Sequence, residues 1–122
     1  MRISIGSDHR GVHIKNRLVS YLNAAGHQVL DLGTDCEQSV DYPDFASAVC
    51  RRVSTGEDER GILICGTGIG MAIVANKFKG VRAANCYDAV MAEICRRHNN
   101  VNVLCLPGDL IGDRPIDELV NI

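Results

Sequence analysis

The sequence predicts an α/β fold built on a five-stranded parallel sheet. Two observations carry that prediction: short apolar runs alternate with amphipathic stretches along all 122 residues, and glycines punctuate the joins. Length adds a bound, because a chain of this size fits one domain around one core. Residues 1–122 are therefore expected to form a single domain without linker, repeat or low-complexity segment.

The first strand is expected over residues 3–7. Ile14, Leu18, Leu22 and Ala25 then recur at helical spacing until Gly26 supplies a stop. Residues 29–32 read as the second strand. After the loop GTDCEQSVDYP, Pro43 suits the first turn of a helix that faces Phe45, Val49 and Val53 inward and ends near Gly56. The third strand covers residues 62–65. The next helix carries Ile69, Ile73 and Lys77 on one line and Met71, Val74 and Phe78 on another, a face broad enough to predict deep burial, with Gly80 closing it. Residues 81–84 make the fourth strand. Tyr87, Val90, Met91, Ile94 and His98 share a helical face before the fifth strand at 101–106. The final PIDELVNI starts like a helix at Pro115 and stops after about two turns, so a short or truncated C-terminal helix is expected.

Composition removes several classes of function. The 46% hydrophobic and 23% charged content is ordinary for a globular protein, and a net charge of −2 gives no broad field for nucleic acid or anionic lipid. Trp is absent and aromatics reach only 4%, which removes the stacking platform of single-strand binders. The apolar runs fall far short of the ~20 residues that span a bilayer, and MRISIG lacks a signal-peptide core. We expect a cytoplasmic protein with neither nucleic-acid nor membrane partners. Cys36, Cys50, Cys65, Cys86, Cys95 and Cys105 are expected to be reduced. No C-x-x-C pair occurs and Cys95 with His98 has no second half, so no metal site is expected.

The stretch GILICGTGIG, residues 61–70, holds the densest chemistry. Open α/β sheets bind ligands at the carboxyl ends of their strands. There Gly66, Gly68 and Gly70 can take φ > 0 and let backbone N–H groups converge on an oxyanion or phosphate. The same glycines fit a tight strand-to-helix turn that binds nothing. Spacing narrows the choice: G-x-G-x-x-G fails at Met71, no Gly-Lys-Ser/Thr follows, and a cysteine-phosphatase loop would need a guanidinium where Met71 stands. What remains is the Cys65 thiol at the mouth of an amide-lined turn beside the Thr67 hydroxyl. It suits a nucleophile, a general base or a simply buried cysteine.

Other polar groups gather at the same edge. Asp8 and His9 lie in SDHR, residues 7–10, and Asp41 and Tyr42 precede Pro43. Asp8 suits a helix cap as well as a ligand, whereas His9 and Arg10 suit a small anion. His98 ends the fourth helix, and ~11 residues from Tyr87 at 1.5 Å each carry it roughly 16 Å from that edge. Within one chain it reads as a core or helix-terminal histidine. It is catalytic only where two subunits of a symmetric dimer share a site.

SDHR, DYP, GILICGTGIG, ANK and RRHNNVNVL, in that order and spacing, resemble the ribose-5-phosphate isomerase B family, which also holds galactose-6-phosphate and allose-6-phosphate isomerases. The resemblance covers nearly the whole chain. It implies a Rossmann-like three-layer sandwich and an aldose–ketose isomerase of a sugar phosphate, ribose 5-phosphate to ribulose 5-phosphate foremost. It further implies no metal or cofactor, and a homodimer or dimer of dimers with shared active sites.

By the same resemblance Cys65 would be the base that moves a proton between C1 and C2 through an enediolate. Thr67 and the amides of Gly66, Gly68, Ile69 and Gly70 would stabilise the oxyanion. His98 of the partner subunit would open the furanose ring, Asp8, Asp41, Tyr42 and Asn99 would hold hydroxyls, and His9 would contact phosphate. Two departures stand out: Asp109 occupies a loop where family members often carry arginine, and the sequence stops at Ile122, short of the arginine-bearing tail that clamps phosphate in the family, leaving Arg10 or Arg114 as substitutes. They leave open an alternative, a sugar-phosphate sensor or assembly subunit that has lost turnover.

Overall fold

The computed structural model describes residues 1–8, 11–32 and 42–108; the side chains of 42–44 lie outside that description. So do His9, Cys36, Asp41 and the PIDELVNI stretch. Alternating strands and helices run in the order β1 (Arg2–Ser7), α1 (Val12–Ala24), β2 (Gln28–Asp31), α2 (Tyr42–Ser54), β3 (Arg60–Cys65), α3 (Ile69–Ala75), β4 (Ala83–Asn85), α4 (Ala89–Arg97) and β5 (Val103–Pro107). The five strands and four helices expected from the pattern are all present, with most ends displaced by a residue or two.

The strands pair in parallel in the order β2-β1-β3-β5-β4. Steps from β1 to β2 and from β4 to β5 run one way across the sheet, and the other two run back. Right-handed crossovers therefore put α1 and α4 on one face and α2 and α3 on the other. The core divides accordingly. Ile3, Ile5, Ile62 and Ile64 pack with Leu18 and Leu22 of α1 and Ala92 of α4. Leu63, Cys65, Val103 and Cys105 pack with Val49 and Cys50 of α2 and Met71 and Ala75 of α3. The central strands β3 and β5 thus feed both faces by simple alternation, as a doubly covered parallel sheet requires.

Several expectations need correction. The helix α3 ends at Ala75, not near Gly80, and its breadth does not translate into burial: Ile69 is 51% and Ile73 58% exposed. On α4 the expected apolar face points away from the core, with Val90 65%, Met91 38% and Ile94 48% exposed. The core takes Ala92 and Cys95 instead. Small residues meet the sheet there, so the large ones are left outside. In α1 the periodicity overlooked Lys15, which is fully buried with its ammonium 2.9 Å from Asp31. A buried cation is tolerated only with such a partner.

Two motif asparagines turn out to brace the edge strand. Asn76 of ANK donates from Nδ2 to the Ala72 and Ala83 carbonyls, and its Oδ1 accepts the Ala83 N–H. Asn102 donates to the Gly80 carbonyl and accepts the Arg82 N–H at 2.8 Å. Their amides supply peptide-like pairing on both sides of the turn into β4, which satisfies backbone groups that a three-residue strand cannot.

Candidate active site

Register brings the strand ends level. Ser7 of β1 lies opposite Ile64 of β3, and Cys65 opposite Pro107 of β5, so Asp8 and Cys65 leave adjacent strands at the same height. Asp8 donates its N–H to the Ile64 carbonyl and accepts from the Gly11 N–H, and it is buried. The N-cap position of α1 is Gly11. Gly11 itself went unnoticed in the sequence, yet a Cβ there would sit 2.6 Å from Ile64 Cγ2. Only glycine lets the β1–α1 turn close against β3 and carry Asp8 beside Cys65.

Cys65 ends β3 with 6% exposure, and its Sγ accepts the Gly68 N–H at 3.1 Å. Gly68 is in the left-handed region at φ 79°, and a Cβ on it would lie 2.2 Å from Asn85 Oδ1. Both facts demand glycine. Gly66 and Gly70 do not share that conformation: Gly68 is the one glycine of the three with positive φ, and Gly70 lies within α3. The expected ring of convergent amides is correspondingly smaller. The Gly68 N–H goes to the thiol, and the Ile69 N–H goes to Thr67 Oγ1 at 3.2 Å. Gly70, in the first turn of α3, keeps an N–H with no intrahelical acceptor. Thr67 is exposed, and its hydroxyl, already accepting from Ile69, is left to donate outward.

Asn85, at the end of β4, is a neighbour that the sequence did not single out. Its Nδ2 donates to the Thr67 carbonyl and to Tyr87 Oη, each at 3.2 Å. The usable signal was a polar residue closing a strand at the ligand-binding edge. The other described cysteines are also unbridged. Burial pushes the Cys50 thiol up to about 11 and that of Cys86 up to about 12, and it holds Cys105 well above the ordinary range. Thiols that stay protonated are poor nucleophiles and bases, so these three are packing residues.

His98 lies elsewhere. The helix α4 begins beside the strand ends, where Asp88 Oδ1 caps the Met91 N–H at 2.9 Å. It then runs back to the opposite edge, where Arg96 lies near Met1, Arg60 and Asn102 around a cavity of about 300 Å³. His98 is the exposed C-cap residue there, with Asn99 exposed beside it. That removes the core reading of His98 and leaves the helix-terminal one. The cavity holds none of the expected site residues. Asp8, Cys65, Thr67 and the glycine turn therefore share one edge, and His98 and Asn99 lie away from it within the chain. Tyr42 opens α2, while the side chain of Tyr42, with His9 and Asp41, falls outside the described residues.

Comparison with known proteins places the chain among sugar isomerases. The chain is 46% identical to the putative sugar phosphate isomerase YwlF of Bacillus subtilis, across 100% of this chain and 83% of that protein. It is 43% identical to ribose-5-phosphate isomerase B of Escherichia coli, across 91% of this chain and 74% of the relative. The solved structure of Clostridium thermocellum ribose-5-phosphate isomerase B superposes with a TM-score of 0.96 at 45% identity, covering 99% of this chain and 82% of that one. Other relatives, at 46%, 40% and 38% identity, are named as isomerases of 4-deoxy-4-sulfo-D-erythrose and D-erythrulose 4-phosphate and as a galactose-6-phosphate isomerase subunit. The model of the Ribose/Galactose Isomerase family matches residues 3–122. The chain belongs to that family, the aldose–ketose isomerases of sugar phosphates.

Proposed function

We propose that the chain interconverts ribose 5-phosphate and ribulose 5-phosphate, with Cys65 as the base. The observation that carries this reading is the Gly68 N–H directed at Cys65 Sγ from 3.1 Å, at a strand-end edge shared with buried Asp8. That backbone donor fixes the sulfur at the mouth of the turn. As base, Cys65 Sγ takes the proton from C2 of the open-chain aldose, the electron pair moves into the C1–C2 bond, and negative charge develops on O1. The Thr67 hydroxyl and the Gly70 N–H meet that charge, and Gly66 and Ile69 shape the rest of the cradle. Transfer of the O2 proton to O1, with return of the carbon-bound proton to C1, gives the ketose. Proton transfer between adjacent carbons needs a base and charge stabilisation alone, so the reading includes no cofactor.

Asp8 holds a substrate hydroxyl, with Asp41, Tyr42 and Asn99 completing that set and His9 contacting phosphate. Ring opening falls to His98 of the partner subunit, in a homodimer. The exposed apolar residues of α3 and α4 support such an assembly, because both helices flank the edge strand β4 and His98 continues the Ile94 line of α4. Ribose 5-phosphate is preferred to galactose 6-phosphate because identity is higher to the relatives named for ribose. In a coupled assay, Cys65→Ala is expected to lower kcat by about 10²- to 10⁴-fold, the usual span for a general base. Equal activity in both proteins would overturn the assignment.

A second reading follows from the relative named as a subunit and from Asp109 standing where the family resemblance leads us to expect arginine. Here the chain binds sugar phosphate and needs a related chain for turnover. Calorimetric binding with no isomerisation by the purified chain, and activity restored by a co-expressed relative, would favour it.

A further inference from the structure

We infer that Asn85 is a positioning residue that aims the Gly68 N–H at the Cys65 thiol through a single peptide plane. The Thr67 carbonyl and the Gly68 N–H belong to the same peptide unit, and in a planar trans peptide they point in opposite directions. Asn85 Nδ2 holds the carbonyl at 3.2 Å, and the N–H on the far side of that plane meets Cys65 Sγ at 3.1 Å. Fixing one end of the plane aims the other. The second Nδ2 hydrogen goes to Tyr87 Oη, so both amide hydrogens are used and the side chain is held at two points.

The amide has one workable orientation. Reversed, it would set Oδ1 against the Thr67 carbonyl, acceptor facing acceptor. As placed, Oδ1 is buried and has no partner among the described residues, so the side chain tolerates an unsatisfied acceptor while its donors stay on Thr67 and Tyr87. Its Cγ and Oδ1 also fill the space a Gly68 side chain would need. The left-handed turn and the amide beneath it therefore fit one another, and free rotation of the 67–68 peptide is blocked from both sides. Asn85 touches no reacting atom in this arrangement. Its effect reaches the thiol through the backbone.

The inference rests in part on the reading of Cys65 as the base, and two readouts keep the two apart. Asn85→Leu preserves approximate volume and removes the donors. It is expected to lower kcat on the order of 10- to 100-fold, the loss that goes with one hydrogen bond to a charged group, with KM changed less than about twofold. The rate at which iodoacetamide labels Cys65, followed by peptide mass spectrometry at fixed pH, is expected to fall by a similar factor. Cys50 and Cys105 serve as internal controls, since general loosening would raise their labelling instead. Tyr87→Phe removes one of the two anchors with little change of shape, and a smaller fall in both readouts is expected.

Unchanged labelling of Cys65 in Asn85→Leu, or a loss confined to KM, would overturn the inference. Should Asn85→Leu fail to fold, unchanged kcat and labelling in Tyr87→Phe would do the same. Full activity in Cys65→Ala would sink the base assignment alone, because labelling reports on the thiol whether or not it is the base.

Discussion

Helices α1 and α2 bury their large apolar residues, and helices α3 and α4 hold theirs out. Leu18 and Leu22 of α1 and Val49 and Val53 of α2 are all buried against the sheet. On the other pair the sheet receives Met71, Ala75, Ala92 and Cys95, while Ile69, Ile73, Val90, Met91 and Ile94 stay exposed. Isolated exposed hydrophobics are ordinary, but five on the two helices that flank one edge strand mark a surface for association. The difference teaches that periodicity identifies an apolar stripe without saying what covers it. For α1 and α2 the cover is the sheet, and for α3 and α4 it would be the second copy of the proposed dimer.

Substitutions in the two pairs should separate in kind. The largest effect is expected for Ile94→Glu, which puts a charge on the exposed stripe: dimer dissociation should rise by at least about 100-fold, since a desolvated unpaired charge costs several kcal/mol. Sedimentation at micromolar concentration would show monomer, and isomerase activity would fall with it. Leu18→Ala is expected instead to destabilise folding by about 2–5 kcal/mol in urea titration, through the cavity it leaves, with the oligomeric state unchanged. A stable dimer for Ile94→Glu would break the comparison.

Smaller effects sharpen it. Asn76→Ala removes the amide that braces the turn into β4 and should cost about 1–3 kcal/mol, by leaving backbone groups of Ala83 unpaired. Smallest is an alkaline effect confined to the packed thiols. Cys50 is held protonated to about 11 in the fold, against 9.0 for an ordinary thiol, so above pH 9 the unfolded chain releases its proton while the native one keeps it. Stability from this group is complete below pH 9 and is lost as pH rises toward 11. Thermal melts across that window should show a decline that Cys50→Ala lessens.

Much of the scaffold was legible because alternation and helical spacing are local. The five strands, the stops at Gly26 and Gly56, and Cys65 at a strand end all follow from neighbours in sequence. The glycine turn was legible in place but not in detail. Of Gly66, Gly68 and Gly70 only Gly68 carries the left-handed conformation, and its need for glycine is set by Asn85, seventeen positions on, where a Cβ would collide with Oδ1. Gly11, Lys15 and Asn85 escaped notice for the same reason. Each answers to a partner far along the chain, Ile64, Asp31 and Thr67, and no local pattern encodes those meetings. Asn76 and Asn102 stood inside quoted motifs, yet hydrogen bonding, not chemistry, explains them.

In the proposed dimer Cys65 of one subunit works with His98 of the other, a pairing that can be tested by mixing two impaired variants. Cys65→Ala and His98→Ala, each well below wild type alone, are denatured, mixed in equal amounts and refolded. Half of the resulting dimers carry one variant of each kind, and such a dimer contains one site with both residues intact. The account predicts recovery of about a quarter of wild-type activity, from the statistics of a two-fold dimer. Mixed protein no more active than the average of its parents would contradict it.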